Sequence, residues 1–126
     1  MAQKVRKVDG SILMDIREKF GGQLFDDPTE ASPFDGELIM DINTALMILS
    51  QIGVGTPGFS ITNAYDTWDD FLGDASVEDL EAVKTDVFMR VKLMFDPPSS
   101  GTLISMYNDQ IREFEWRLQL RAESEI

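Results

Sequence analysis

The chain contains neither cysteine nor histidine. Disulfides, thiolate nucleophiles, the common base–nucleophile pairs and ordinary zinc sites are therefore excluded. A pair of carboxylates can still perform acid–base chemistry, as it does in glycosidases. However, the 126 residues include 23 Asp and Glu, which makes any single carboxylate pair uninformative. We therefore expect no enzymatic activity and no bound cofactor or metal ion.

Long apolar runs are also absent, since none approaches the ~20 residues of a membrane-spanning helix. Residues 1–8 are basic, but they lack the apolar stretch and the cleavage site of a signal peptide. We therefore expect a soluble protein made in the cytoplasm, without membrane contact. A hydrophobic content of 43% in 126 residues is enough for one folded domain with a core.

Positive charge is missing from the 64 residues between Phe20 and Val83, which carry thirteen carboxylates. All eleven Lys and Arg residues lie outside that window, and the net charge is −12. A field this one-sided repels nucleic acid and influences the choice of partners rather than the fold. Three interpretations follow: the protein avoids DNA, imitates DNA, or presents acid to a basic partner.

Apolar residues recur at helical spacing along most of the chain. Ser11 is predicted to cap a first helix that ends at Gly21, and Asp35 to cap a second helix that ends at Gly53. A short helical turn is expected around Trp68. These assignments place a long connection between the second helix and the short one.

The second half of the chain has equally clear boundaries. Ser76 begins a capping-box sequence that predicts a helix, and Asp96-Pro97-Pro98 ends it. A last helix is predicted to restart at residues 99–102 and to run to about Ala122. The Gly/Pro/Ser-rich connection 53–66 contains a candidate short strand, Phe59–Thr62. The sequence thus predicts a mainly all-α fold, a four-helix-type bundle with one long irregular loop that contains a short strand or hairpin.

Two familiar motifs fail when their spacing is tested. Residues Gly53–Gly58 match G-x-G-x-x-G, but a helix precedes them and an extended segment follows, the reverse of a dinucleotide-binding turn. We interpret this match as a helix cap followed by a turn. Calcium loops counted from Asp26 or from Asp70 lack the oxygen ligand at the third position and the glycine at the sixth.

Trp116 and Leu120 form a second apolar strip on the last helix, separate from the predicted core and flanked by Arg112, Arg117 and Arg121. Trp116 lies off the apolar stripe of the last helix, which is predicted to run through Leu103, Met106, Gln110, Phe114 and Leu118. Trp116 is therefore either part of a wide buried stripe or part of a contact surface, because Trp and Arg are enriched in interfaces. The predicted core consists of Ile42, Leu46, Leu49, Leu80, Val83, Val87, Val91, Phe114 and Leu118.

Several segments, in their order along residues 11–122, resemble the small head–tail connector (adaptor) proteins of long-tailed bacteriophages. Their motifs are structural rather than catalytic, so the order and spacing of the segments carry the resemblance. The basic start and the acidic loop Asp26–Pro33 depart from that pattern. The segments are Met40–Gly55, Thr67–Gly73, Leu80–Thr85, Val91–Pro98, Tyr107 and Ile111–Leu118.

The resemblance implies a helical virion protein that forms a dodecamer-like ring under the portal and extends the DNA channel. Its partners would be the portal protein, through a C-terminal segment, and a stopper, head-completion or tail-completion protein. DNA would pass through without specific binding. We expect the chain to divide into a basic N-terminal arm (1–10), a helical connector domain (11–118) and a C-terminal tail (119–126).

Two groups of site residues follow from this hypothesis. The candidate portal-docking residues combine a Trp, aliphatic side chains and arginines near the C-terminus: Trp116, Arg117, Leu120, Arg121 and Ile126. The candidate lumen or subunit-interface residues are carboxylates of the window without positive charge: Asp26, Asp27, Glu30, Asp69, Asp70 and Asp74.

Two other functions remain open on the sequence. An acidic DNA mimic that inhibits a nuclease or repressor explains the charge equally well, but gives no role to Trp116 or to the 53–66 loop. A generic acidic helical domain that binds partners is the other alternative. Molecular size distinguishes them, because a mimic is expected to be a monomer or dimer and a connector a large ring.

Overall fold

The computed structural model describes residues 10–21, 33–73 and 77–124. These residues form five helices and no strand, so the predicted all-α class is confirmed. Four of the helices are long and one is a short turn, as the sequence predicts. The helices are α1 (Ile12–Phe20), α2 (Asp35–Gln51), α3 (Trp68–Leu72), α4 (Val77–Phe95) and α5 (Gly101–Ser124).

The start of α1 agrees with the sequence prediction. The Ser11 hydroxyl accepts a hydrogen bond from the Met14 backbone N–H at 3.2 Å, and α1 ends before Gly21. The buried face of α1 includes Ile12 and Ile16, both fully inaccessible to solvent. This face packs α1 against α2.

The start of α2 differs from the prediction. Phe34, rather than Asp35, occupies the N-cap position, and Asp35 is the first helical residue. The Asp35 carboxylate lies 3.6 Å from the guanidinium of Arg17, whose side chain is only 2% exposed. The Asp35 carboxylate thus faces a buried cation of α1.

The end of α2 is a Schellman motif. The Val54 N–H donates to the Leu49 carbonyl at 2.9 Å, and the Gly53 N–H donates to the Ser50 carbonyl at 3.1 Å. Gly53 has a φ of 95°, which favours glycine. Val54 and Leu49 are both buried, which completes the apolar contact typical of this motif. The G-x-G-x-x-G match is therefore a helix cap, as interpreted from the sequence.

Helix α4 packs against both α2 and α5 and so forms the centre of the bundle. Most predicted core residues are buried, whereas Leu80 and Phe114 are only partly buried. The main apolar cluster contains Ile12, Leu13, Ile16, Leu38, Ile42, Ala45, Leu46, Leu49, Val54, Ile61, Trp68, Phe71, Val83, Val87, Val91 and Leu118.

The predicted core stripe is wrong in the first half of α5. Leu103 and Met106 are 46% and 50% exposed, and Gln110 is also exposed. The buried positions of this helix are Ile111 and Leu118. Leu118 belongs to the predicted stripe and is buried as expected, whereas Ile111, which lies off that stripe, is the other buried position that faces α4.

The candidate strand Phe59–Thr62 is also wrong within the described residues. The Ile61 N–H donates to the Asn43 side-chain oxygen at 2.7 Å, and the Asn43 amide donates to the Ile61 carbonyl at 3.1 Å. A side chain of α2 therefore takes the place that a neighbouring strand would occupy. Because Ile61 is only 1% exposed, this contact fixes the long loop to the bundle.

Helix α3 joins the loop to α1 and α4. Ser11 and Thr67 form an isolated antiparallel β-bridge. In this bridge the Trp68 N–H donates to the Gly10 carbonyl at 3.0 Å. The buried Trp68 indole donates to Asp15 at 2.8 Å, and the Lys84 ammonium lies 3.5 Å from the same carboxylate oxygen. One carboxylate of α1 therefore meets groups from α3 and α4.

Three sequence predictions fall mainly or wholly on residues outside the described ranges: the basic arm, the acidic loop 26–33 and the Ser76 cap. The proposed tail of residues 119–126 falls partly inside them. Helix α5 continues without interruption from Gly101 to Ser124, so residues 119–124 are helical. The structure shows no helix end at 118.

Candidate protein-interaction surfaces

The solvent side of α5 carries an apolar strip, formed by Trp116 and Leu120, with Arg112 beside it. We call these three residues the Trp116 face. Trp116 is 62% exposed and Leu120 is 46% exposed. With ~100° of rotation per residue, both lie roughly opposite the buried Leu118. The contact-surface interpretation of Trp116 therefore agrees with the structure, and the buried-stripe interpretation does not. Exposed aromatic and aliphatic side chains beside arginine are typical of protein–protein contacts.

A shallow cavity of about 230 Å³ lies beside the Trp116 face. We call it the Gln110 groove, because Gln110, Glu113, Phe114 and Arg117 line it. Ordinary small-molecule pockets are larger, ~300–1,000 Å³, and mostly apolar. The small size of this groove therefore fits one or two side chains of a protein partner better than a cofactor.

The arginines of α5 are held in different ways. Arg112 pairs with Asp109, and Arg117 donates to Glu113 at 2.6 Å, each through a single guanidinium nitrogen. Both arginines remain largely exposed. Since a guanidinium carries five N–H donors, each can also bind an acceptor on another molecule.

Arg121 instead connects α5 to α4. Its guanidinium donates through two nitrogens to the two oxygens of Asp79, both at 3.1 Å. One residue further on, Ala122 lies beside Gly53, where an added Cβ would come within 3.2 Å of the Ala122 Cβ. The end of α5 is therefore packed against α4 and the end of α2.

The structure thus separates the candidate docking residues. Trp116 and Leu120 share one face, Arg117 lines the Gln110 groove, and Arg121 faces Asp79. The last member of the set, Ile126, lies outside the described residues.

The candidate acidic residues lie elsewhere. Asp69 and Asp70 are exposed on α3, and the Asp70 carboxylate accepts from the Thr67 N–H at 3.1 Å in a capping box. Within the described ranges, no cluster of three or more carboxylates could hold a metal ion. The other four candidates lie outside those ranges: Asp26, Asp27, Glu30 and Asp74.

A buried charged cluster joins α4 to α5. Arg90 donates to Asp86 at 2.8 Å and to Glu115 at 2.7 Å. Asp86 is fully buried, and its burial raises the pKa of this carboxyl group, although the bond to Arg90 acts in the opposite direction. One signal of this cluster is visible in the sequence, since Asp86 and Arg90 are four residues apart beside the apolar stripe of α4.

A stripe on α2 was missed by the sequence reasoning. Met40 is 70% exposed and Met47 is 49% exposed, on the side of α2 opposite its buried residues. Their spacing of seven residues was the available signal, but a generally apolar helix suggested complete burial. We call this surface the Met40 stripe; it contains Glu37, Met40, Thr44, Met47 and Gln51.

The site is therefore a set of exposed helix faces suited to contacts with proteins, and the comparison with known families agrees. Residues 23–125 match the family described as phage connector protein. The match covers most of the chain, and the chain belongs to this family: it is a structural head–tail connector protein of a bacteriophage virion. No curated protein and no solved structure matches the chain. None of the described helices is long and apolar enough to cross a membrane.

Proposed function

We propose that this connector assembles as a ring beneath the capsid portal and extends the channel through which DNA leaves the capsid. The portal lies above the ring, and a stopper, head-completion or tail-completion protein lies below it. The observation that carries this proposal is the Trp116 face, an exposed apolar strip on the C-terminal helix of a phage connector.

The Trp116 face docks on the portal, with Trp116 and Leu120 at the centre of the contact. Removal of these two exposed side chains from water supplies the main part of the binding free energy. Arg121 and Ile126 form the rim, where contacts contribute little because water remains accessible, and Arg117 lies at the border between this face and the Gln110 groove.

The acidic residues face the channel or the neighbouring subunit. Asp69 and Asp70 are exposed, and the described residues 33–73 contain no Lys or Arg. Each phosphate neutralised by Lys or Arg adds salt-dependent affinity for DNA. A lumen rich in carboxylates therefore lets DNA slide through. The same role is proposed for Asp26, Asp27, Glu30 and Asp74.

The family assignment favours the connector over the acidic DNA mimic. A mimic needs only carboxylates at phosphate-like spacing and has no use for the exposed Trp116 and Leu120. A connector needs such apolar surfaces, because it must hold its neighbours in the virion.

The test uses purified tail-less capsids that carry the portal, incubated with the full chain and separated by sedimentation. In the double variant Trp116→Ala with Leu120→Ala, we expect attachment to weaken at least tenfold, since hot-spot residues contribute ~2 kcal/mol or more each. The matched control is Tyr65→Ala. Tyr65 is a large exposed residue of the loop, 74% accessible and distant in sequence from α5.

Helical content and the thermal melt of each variant show whether its fold is intact. Because Trp116 and Leu120 are exposed, both should stay close to those of the unmodified chain. If the folded double variant joined capsids as well as the Tyr65→Ala control, the Trp116 face would not be the docking site.

A further inference from the structure

The four residues of the Gln110 groove have the spacing i, i+3, i+4 and i+7 on α5. Four residues at this spacing form the hole that receives one side chain in knobs-into-holes packing of two helices. No described side chain fills this space of about 230 Å³. The groove therefore has the form of a receptor for a side chain on another helix.

The Met40 stripe has the complementary form. Its members, at positions 37, 40, 44, 47 and 51, are separated by alternating intervals of three and four residues, the spacing of a coiled-coil seam. Met40 is 70% exposed and projects from the side of α2 opposite its core. Methionine is flexible and polarisable, which suits an irregular cavity.

One copy of the chain cannot bring these two surfaces together. The Met40 stripe faces away from α4, because Leu38, Ile42 and Leu49 on the other side of α2 are fully buried. The groove lies on α5, which packs on α4 through Ile111 and Leu118. The two surfaces are therefore available only to different molecules.

We propose that the Gln110 groove of one subunit receives the Met40 stripe of the next subunit, with α2 and α5 antiparallel. This inference rests on the proposed ring and names the contact that builds it. It leaves the Trp116 face free for the portal, since Trp116 and Arg117 lie ~100° apart around the helix.

The antiparallel register follows from charge and apolarity. With Thr44 opposite Gln110, the antiparallel register places Glu37 opposite Arg117 and Met47 opposite Met106, which is 50% exposed. With the same two residues opposite each other, the parallel register would instead place Met47 beside the carboxylate of Glu113. Opposite charges that meet across a helix pair determine its orientation, as they do in coiled coils.

The charges of the two helices also select this pairing over a pairing of identical surfaces. Helix α2 carries Asp35, Glu37 and Asp41 without any Lys or Arg, so two copies of α2 repel each other. Arg117 binds Glu113 through one nitrogen and has further donors for the exposed carboxylate of Glu37.

A contact between two different surfaces repeats from subunit to subunit. It closes into a ring when the rotation between neighbours divides a full turn. The connector therefore grows head to tail, and each subunit offers one groove and one stripe.

Cross-linking tests the contact directly, because the chain has no cysteine of its own. The double variant Thr44→Cys with Gln110→Cys places one thiol at the centre of each surface. A short bis-maleimide should convert it into a ladder of dimers, trimers and larger species. Each single variant should give no covalent ladder on a denaturing gel, because its thiols lie on identical surfaces that do not meet. The reaction is run on the full chain, both free at high concentration and bound to portal-bearing capsids.

The matched control replaces Gln110 with Gln119, a residue of the same type that lies ~180° away around α5. Thr44→Cys with Gln119→Cys should give no ladder. Dimers from either single variant would show a contact between identical surfaces and overturn the inference. Absence of a ladder with capsids fully occupied would overturn it while the proposed function stood. A ladder in the free chain without capsid attachment would support the contact and contradict the proposed function.

A charge exchange tests the register. Glu37→Lys alone and Arg117→Glu alone should each reduce the ladder about tenfold, whereas both changes in one chain should restore it. The exchange leaves the chain's net charge as it was, so recovery cannot come from a change in overall repulsion. If the combined variant were as defective as the single ones, the antiparallel register would be wrong.

Discussion

Position 55 requires glycine for two reasons, its backbone conformation and the close approach of an aromatic ring. Its φ is 84°, and a Cβ added there would lie 2.2 Å from the ring of Phe71. Thr56 donates its N–H and its hydroxyl to the Phe71 carbonyl, at 2.9 and 3.0 Å. The 53–66 loop is thus fitted onto α3, and glycine is the only residue that leaves room for this aromatic ring.

We expect Gly55→Ala to lower the free energy of unfolding by more than Gly58→Ala does. Gly58 also has a positive φ, 79°, but a Cβ there would meet no atom within 4 Å. Backbone strain alone costs about 1 kcal/mol, whereas the clash with Phe71 adds ~1–3 kcal/mol. Urea denaturation measures both values. Equal losses in the two variants would show that Phe71 moves aside at no cost.

Single residues also show where the sequence was sufficient. The Ser11 cap and the glycine end of α2 were predictable because each depends on hydrogen bonds within a few residues. The ion pair between Asp35 and Arg17 was not predictable, because it joins two different helices. The Asn43–Ile61 contact was hidden for the same reason, since it joins residues eighteen positions apart.

At the scale of the helices, the strongest unusual feature is the charged cluster between α4 and α5. Arg90 lies between Asp86 and Glu115 and is itself only 11% exposed. One oxygen of Asp86 has no hydrogen-bond partner among the described residues. A buried carboxylate with an unsatisfied oxygen favours its neutral form, and its raised pKa follows from that burial.

This cluster predicts the pH dependence of stability. Asp86 binds its proton more tightly in the folded chain than in the unfolded one, where the pKa is 3.8. Protonation of this group therefore favours folding, and its contribution is lost as pH rises from 3.8 through the raised folded value. The pKa of Asp41 is raised by burial and by Glu37, in the same direction.

We therefore expect the free energy of unfolding, measured by urea denaturation, to rise as the pH is lowered through the raised pKa of Asp86 towards 3.8, by at most ~1.4 kcal/mol per pH unit for each proton taken up. In Asp86→Asn this rise should be smaller. Asp69→Asn, which removes one exposed carboxylate from α3, is the matched control. A free energy of unfolding in Asp86→Asn that changed with pH as steeply as in the control would assign the effect to other groups.

The helices themselves were largely predictable, but the outward face of each was not. In α5, Leu118 of the predicted stripe is buried, whereas Leu103 and Met106 of the same stripe are exposed. Only the position of α4 decides which part of the helix is buried. In α2, Met40 and Met47 could have been recognised from their seven-residue spacing. A single sequence does not distinguish an exposed apolar residue of a binding surface from an apolar residue of the core.

The charge of the whole molecule predicts how it treats DNA. With a net charge of −12, the chain repels phosphate, although its first ten residues are basic. We expect no measurable binding to duplex DNA at an ionic strength of about 0.15 M, where the Debye length is ~8 Å. Fluorescence anisotropy with labelled duplex measures this. Tight binding at that salt concentration would show that the acidic window does not prevent contact with DNA.

In the part of the chain that the structure describes, the exposed features are helix faces and a side-chain-sized groove, and the family is that of phage connector proteins. The ion pairs of Arg90 and Arg121 connect helices within the bundle, whereas the Trp116 face and the Met40 stripe are exposed. The acidic window and the Trp116 face could be recognised from the sequence. The Gln110 groove could not, because it is recognisable only once the packing of α5 on α4 is known.

Cryo-electron microscopy of portal-bearing capsids incubated with the full chain tests the account most directly. We expect a closed ring of density on the portal axis, with α5 of every subunit towards the portal and an open channel at its centre. A single copy, a closed channel, or density attached elsewhere on the capsid would contradict the account.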